Sequence, residues 1–222
     1  MIKVDRRTEI VTIAQQLFYT KGYERTSVND IINVAGLSKG GFYHHFDSKQ
    51  AVLWAVVDEL ISQSSTMIEP ILANDNLNAL EKFKQITTTV NDWKIERREQ
   101  MLTLIEGLFS DENLRLRDRL MDESKRVTLP VWTQILEQGV AEGVFDLGGI
   151  GESYAAEFII LLLRNSGETF ARLLLDPNRP ADSVAIVIEK YASAEKVIQR
   201  ILGISAGSLQ LIDPHDISAW FE

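Results

Sequence analysis

An all-α fold is predicted from three observations on the sequence. Every segment with a periodic apolar pattern repeats near the helical period, and no run alternates apolar and polar residues strictly enough for a half-buried strand. Glycines and cap-forming residues cut the first 50 residues into three short helices and leave longer ones after them.

Ile10, Ile13, Ala14, Leu17 and Phe18 recur on one helix face, and Lys21-Gly22 should end that helix, because glycine tolerates the backbone of a helix C-terminus. Ser27 followed by Asp30 is an N-cap pattern, Ile31 and Ile32 begin a short apolar stripe, and Gly36 breaks it. Ser38 can cap a third helix. Asp47-Ser48 offers the cap of a longer one carrying Val52, Leu53, Val56, Val57 and Leu60. Further helices are expected at roughly 77–96, 99–109, 113–142, 151–175 and 181–202. Pro130 should kink or divide its helix, Gly143 should cap it, and Asp176-Pro177-Asn178 is a loop. The stretch DPHDISAWF, Asp213 to Phe221, reads as a capped short helix. Its Ile217, Trp220 and Phe221 pack on the body of the chain or, on the other reading, meet a partner.

The chain has 222 residues, 45% of them apolar, enough for one sizeable core or for a small domain attached to a larger one. Without cysteine, disulfides, thiolate metal sites and thiol catalysis are excluded. The N-terminus MIKVDRRTEIV has no apolar run of signal-peptide length, and FIILLL, Phe158 to Leu163, is far short of the roughly 20 residues of a spanning helix. A soluble, cytoplasmic chain with no membrane partner is expected. The net charge of −9 argues at first against nucleic acid, but it is unevenly spread. Residues 1–50 hold seven Lys or Arg against five acids, and the remainder sixteen against twenty-seven: a mildly basic head on an acidic body.

The stretch LSKGGFYHHFDSK, Leu37 to Lys49, admits three readings. A phosphate-cradling loop needs GxxxxGK[ST] or GxGxxG after a strand, and neither is present. A metal site fails because adjacent His44 and His45 diverge by about 100° on a helix and cannot share one ion. The third reading is a helix-turn-helix, with Ile32 as an interior contact, Gly36 in the turn and Phe42 as the anchor of the second helix, where Phe46 shares its face. Ser38, Lys39, Gly40, Gly41, Tyr43 and His44 are then left exposed, groups that contact phosphates and base edges. Each helical glycine costs about 1 kcal/mol relative to alanine, and in return lets the backbone come close to a phosphate or base. The alternative is that the glycines merely mark a loop.

With GYERTSVNDIINVAGLSKGGFYHHFDSKQAVL, Gly22 to Leu53, the chain resembles the DNA-binding domain of the TetR (tetracycline-repressor-type) family. The match lies in Thr-Ser before the second helix, Ala-Gly at the turn, Ser-Lys-Gly opening the recognition helix, and Tyr-His-His-Phe followed by a lysine. The resemblance implies a homodimeric, all-helical repressor with a DNA-binding domain over 1–48. Residues 49–222 would bind a small effector and dimerise through the last two long helices. It further implies double-stranded operator DNA as partner, contacted by Thr26, Ser38, Lys39, Gly40, Tyr43, His44, His45 and Lys49. Gly41 is grouped with them, although it stands where relatives often carry a base-reading side chain.

The remainder carries no strong motif. SYAAEFIILLLRNSGETFARLLL, Ser153 to Leu175, is apolar almost all round and must be buried on most sides, against its own domain or also against a second subunit. VAIVIEKYASAEKVIQRIL, Val184 to Leu202, is amphipathic. Glu157, Arg164 and Glu168 share one face, either towards a cavity or dimer seam or as an ion-pair row at the solvent edge. Trp93, Met101, Phe109, Trp132, Tyr154 and Phe158 are candidates to line an apolar effector pocket, with Glu106 as its polar group if buried; each is otherwise core packing or surface. No catalytic triad, metal site or cofactor is expected, since two of the three histidines lie in the reader. The expected function is a ligand-responsive, DNA-binding regulator. The alternative is a helix-turn-helix protein that recruits a protein partner and senses no ligand.

Overall fold

The computed structural model of the chain describes residues 5–110 and 113–221. Those residues form ten helices and no strand: α1 (Arg6–Lys21), α2 (Val28–Ala35), α3 (Lys39–Tyr43), α4 (Lys49–Leu72), α5 (Ala79–Glu96), α6 (Arg98–Phe109), α7 (Leu114–Ala141), α8 (Glu152–Leu175), α9 (Ser183–Ile201) and α10 (Pro214–Phe221). The ends fall where the sequence has chemistry for them. Ser27 and Asp30 form a reciprocal capping box on α2. Asn78 and Glu81 do the same for α5: Asn78 Oδ1 accepts from the Glu81 N–H at 2.9 Å and Glu81 Oε2 from the Asn78 N–H at 2.8 Å.

Pro130 does not divide its helix. α7 runs from Leu114 to Ala141 through it. Proline in a helix interior costs about 3 kcal/mol, whereas each large apolar side chain returned to the core stabilises by about 1.5–3 kcal/mol. The next turns bury Trp132, Ile135 and Leu136, so continuing the helix outweighs the lost hydrogen bond. The reader is also shorter than the spacing predicts. α3 ends at Tyr43, and Phe46 lies beyond it in a turn closed by its N–H to the Phe42 carbonyl at 3.0 Å.

The chain divides into two compact units, residues 1–64 with 97–121, and residues 65–96 with 122–222. In the first, Ile10, Ala14 and Phe18 of α1, Ile31 and Ile32 of α2, Phe42 of α3 and Val52 and Leu53 of α4 are buried. In the second, one cluster gathers Phe83 and Ile86 of α5, Trp132, Ile135 and Leu136 of α7, Ala155, Ala156 and Ile159 of α8, and Ala194 and Ile198 of α9. α10 packs on its own unit, with Ile217 and Trp220 buried and the Phe170 ring 5.6 Å from that of Trp220.

Candidate nucleic-acid interface

The turn between α2 and α3 is made by Gly36, whose φ of 62° is left-handed and whose N–H bonds back to α2. The Leu37 N–H then donates to the Ile32 carbonyl at 3.0 Å, closing the turn. Ser38 caps α3 by accepting from the Gly41 N–H at 3.0 Å. A Cβ at position 41 would stand 3.3 Å from that same Ser38 oxygen. Glycine there keeps the cap uncrowded as well as leaving the helix surface bare.

Phe42 is the buried residue of α3, 0% exposed, with the Phe46 ring 6.2 Å away and the Arg7 guanidinium 5.1 Å above Phe46. With that side chain turned inward, Ser38, Lys39, Gly40, Tyr43 and His44 are exposed, and Gly41 and His45 are half-buried. The two imidazoles meet edge to face at 5.0 Å rather than converging on one point.

Two further residues expected to touch DNA are engaged inside the fold. Thr26 is buried, and its hydroxyl donates to the Gly22 carbonyl at 2.8 Å. Lys49 Nζ donates to the Tyr23 carbonyl at 3.0 Å and lies 4.1 Å from the centre of the Tyr23 ring. Beside the reader, Lys21 pairs with Asp30 at 2.8 Å. Hydrogen bonds from Lys21 and Ser27 hold the Asp30 carboxyl well below its ordinary value of 3.8, so the cap stays ionised.

The residues expected around an effector are divided between the units. Met101, Glu106 and Phe109 belong to the first, and Trp93, Trp132, Tyr154 and Phe158 to the second. Glu106 is exposed. The Arg117 guanidinium lies 4.7 Å from the Phe109 ring. Trp93 and Trp132 are buried, Trp132 with its ring 4.5 Å from Phe83. Tyr154 and Phe158, by contrast, are 69% and 49% exposed in the single chain. Glu157 pairs with Lys125 of α7, and Arg164 with Glu168 at 3.0 Å.

Two clefts lie elsewhere in the second unit. One of about 210 Å³ is lined by Ile188, Tyr191, Glu195 and Ile212 among others, and burial pushes the Tyr191 hydroxyl up to about 12. A shallower one of about 400 Å³ lies between Val140 and Glu152. Neither includes any of the seven expected residues.

Sequence reasoning missed Leu161 and Tyr23. Leu161, 57% exposed, continues the outward row of Tyr154 and Phe158 at helical spacing, a signal legible in the sequence. Tyr23 is buried against Phe18 of α1 and Lys49 of α4, and only its place after Gly22 marked it.

A capped helix pair joined through a left-handed glycine, whose second member buries one aromatic and displays a lysine, a tyrosine and bare backbone, is a helix-turn-helix: the chain is a DNA-binding transcriptional regulator. Comparison with known proteins gives the same class. The profile of the family described as "Bacterial regulatory proteins, tetR family" matches residues 10–56. An HTH-type transcriptional regulator from the lacX 3′ region of Lactococcus lactis is 30% identical over 145 residues, covering 65% of this chain and 70% of that protein. The HTH-type transcriptional repressor KstR2 of Rhodococcus jostii is 28% identical over 147 residues, covering 64% and 69%. Among solved structures, a TetR-family regulator from Pectobacterium atrosepticum superposes with a TM-score of 0.65 at 19% identity, covering 88% of this chain and 93% of that one. The chain belongs to the TetR family of regulators, proteins that are not enzymes. Among the described residues no helix is long and apolar enough to cross a membrane.

Proposed function

We propose that the protein is a cytoplasmic repressor that binds a pseudo-palindromic operator as a homodimer and is released by a small, largely apolar effector. The observation that carries the reading is the reader itself. α3 is a short, capped helix whose exposed groups suit DNA and whose one buried residue suits the head's core. Lys39 and Tyr43 supply base and phosphate contacts, Gly40 and Gly41 close backbone approach, and Ser38, His44 and His45 flanking contacts. Lys49, half-buried, is assigned a phosphate contact by the donor capacity its ammonium keeps beyond the N–H given to Tyr23. Thr26 contributes by holding the loop before α2.

A dimer is supported by Tyr154, Phe158 and Leu161 on α8, with Ile186 and Val197 on α9, all large, apolar and exposed in the single chain. A pseudo-palindromic operator calls for two readers about one DNA turn apart, roughly 34–36 Å. The functional division at residue 48 follows the end of the reader, and the effector is assigned to residues 70–175. α4, continuous from Lys49 to Leu72, is the covalent route from one to the other.

The decisive experiment is a genomic binding selection followed by an effector titration with and without operator. Inverted repeats are expected. Effector affinity should fall on DNA by the factor by which effector weakens DNA binding, corresponding to about 1–3 kcal/mol of coupling. A selection with no inverted repeat would overturn the dimeric reading. Equal effector affinities in both titrations would replace the sensor by a partner-recruiting regulator, a role that the outward-facing Tyr154 and Phe158 also suit.

A further inference from the structure

After α9 the chain turns at Gly203, φ 66°, and runs back along the helix it has just left. Side chains of α9 and α5 hold it there. Gln199 Nε2 donates to the Leu209 carbonyl at 3.2 Å, the Leu211 N–H donates to Glu195 Oε2 at 3.2 Å, and Asn91 Nδ2 donates to the Leu211 carbonyl at 2.8 Å. Leu209 and Leu211 join the core of the second unit. Gln210 and Ile212, which alternate with them, instead line the 210 Å³ cleft together with Ile188, Tyr191, Ala192 and Glu195 of α9. This is not the exposed apolar side of α9. Residues two apart on a helix diverge by about 200°, so Ile188 and Glu195 lie away from the exposed Ile186 and Val197.

The polar groups of the cleft are unevenly matched. Glu195 is half-buried, and its two oxygens accept from neutral donors only, the Leu211 N–H and the Gln199 amide, each at 3.2 Å. A carboxylate has about four acceptor positions, so roughly half of its capacity remains. Among the described residues no cation pairs with it. The Tyr191 hydroxyl has no hydrogen-bond partner among the described residues either, and burial, which pushes it up to about 12, keeps it protonated. Pro214, on the cleft wall, stands between Asp213 and the Asp216 side of α10. The Asp216 carboxyl is pushed up by burial and by the charges of Asp213 and Asp92, with His215 acting the other way. This corner of the unit therefore carries surplus negative charge. A carboxylate drawn partly out of water favours a cation beside it.

We infer that the cleft between α9 and residues 210–214 is a second binding site, one that takes a small organic ammonium: a single ring carrying one protonated amine. The amine meets the Glu195 carboxylate, and the ring lies against Ile188, Ala192 and Ile212. The size fits, because an apolar cavity of about 150 Å³ holds benzene and the cleft measures about 210 Å³. An anion of the same shape meets like charge, and a neutral alcohol leaves Glu195 without a counter-ion. The site lies outside residues 70–175, to which the effector is assigned, and it does not rest on the operator reading. An ammonium held there touches α9 and the returning segment at once, and so fastens the C-terminal arm to the helix beneath it.

Benzylamine, benzyl alcohol and benzoate share a ring and differ in charge. Each is titrated against the full-length chain by ligand-observed NMR near neutral pH, first unaltered and then as Glu195→Gln and Ala192→Leu, with helix content and unfolding checked for both variants. In the unaltered protein benzylamine should bind about ten-fold more tightly than benzyl alcohol, the difference a hydrogen bond to a charged group makes, and benzoate more weakly than either. Glu195→Gln keeps an acceptor for the Leu211 N–H; it should remove the preference for the amine and leave the alcohol where it was. Ala192→Leu fills the cleft and should weaken amine and alcohol alike, and it decides alone if Glu195→Gln does not fold. Benzylamine that does not bind, or binds no better than the alcohol, would overturn the proposal. So would amine binding that neither folded variant changes, which places the amine elsewhere, and a Glu195→Gln variant that loses amine and alcohol equally, which leaves Glu195 a structural group. None of these outcomes bears on DNA binding, which is measured separately.

Discussion

α3 and α8 both leave large side chains in solvent, for opposite physical reasons. α3 has five residues, buries Phe42 and exposes Lys39, bare glycine backbone and Tyr43. It has no hydrophobic reason to be covered, and its surface suits a hydrated polyanion. α8 has 24 residues and buries Ala155, Ala156, Ile159, Ser166, Ala171 and Leu174, yet still exposes Tyr154, Phe158 and Leu161. A helix this well anchored gains nothing from outward aromatics unless something covers them. Exposure alone therefore does not identify a partner; its chemistry does. Polar groups and backbone on a small anchored helix point to DNA, and an apolar row on a long buried one points to protein.

Six substitutions, in four comparisons, break or sharpen that contrast. The largest effect is expected from Phe42→Ala, which removes the buried anchor of α3 and should cost about 3–5 kcal/mol. Urea unfolding should show the loss, and DNA binding should disappear with it. Next is the pair Phe158→Glu and Leu161→Glu, on the exposed side of α8. Helix content should hold, because neither side chain is buried in the single chain. Each side chain kept out of a proposed seam forfeits about 1.5–3 kcal/mol. Sedimentation should move from dimer to monomer, and a species that remains dimeric would remove α8 from the interface.

Two lysines give the third comparison. Lys39→Ala should lower the slope of log affinity against log salt by about one for each phosphate the protein no longer neutralises, and leave stability unchanged. Lys49→Ala should lower the slope similarly and also cost about 1 kcal/mol of stability, because its ammonium sits on the Tyr23 ring and carbonyl. A slope unchanged in Lys49→Ala would leave that residue an internal strut alone.

The smallest effect is electrostatic. The folded Asp30 carboxyl titrates below its ordinary value of 3.8 because Lys21 and Ser27 bind its charged form. Its contribution is thus fully present above about pH 4 and is lost as pH falls through the folded value. Asp30→Asn should flatten the acid limb of stability below pH 4 and leave neutral DNA affinity nearly unchanged, as acid titrations of both proteins would show.

Local chemistry made much of this fold legible. Ser27 with Asp30, Gly36, Ser38 and Ser48 each act on residues within four positions, and each marks the helix end that the structure has. The α3 residues were legible for the same reason, since a five-residue helix with one apolar anchor has little choice of face. Pro130 was not, because the burial of Trp132, Ile135 and Leu136 that carries α7 through it depends on other helices. Tyr154 and Phe158 look in sequence like Trp132, an aromatic with one apolar and one polar neighbour, but they point outward.

The amino-acid order by itself determined most helix ends, the caps at Ser27, Ser38 and Ser48, the left-handed turn before the reader and the polar face that the reader displays. All of these are settled between neighbours along the chain. Only the tertiary structure decided which members of matched pairs are exposed: Tyr43 rather than Tyr23, Lys39 more than Lys49, Tyr154 rather than Trp132. The physical reason is distance along the chain. Tyr23 bonds to Asn113, 90 residues on, and Asn91 to the Leu211 carbonyl, 120 residues on. Burial is decided by such partners, and no local pattern around either residue contains them.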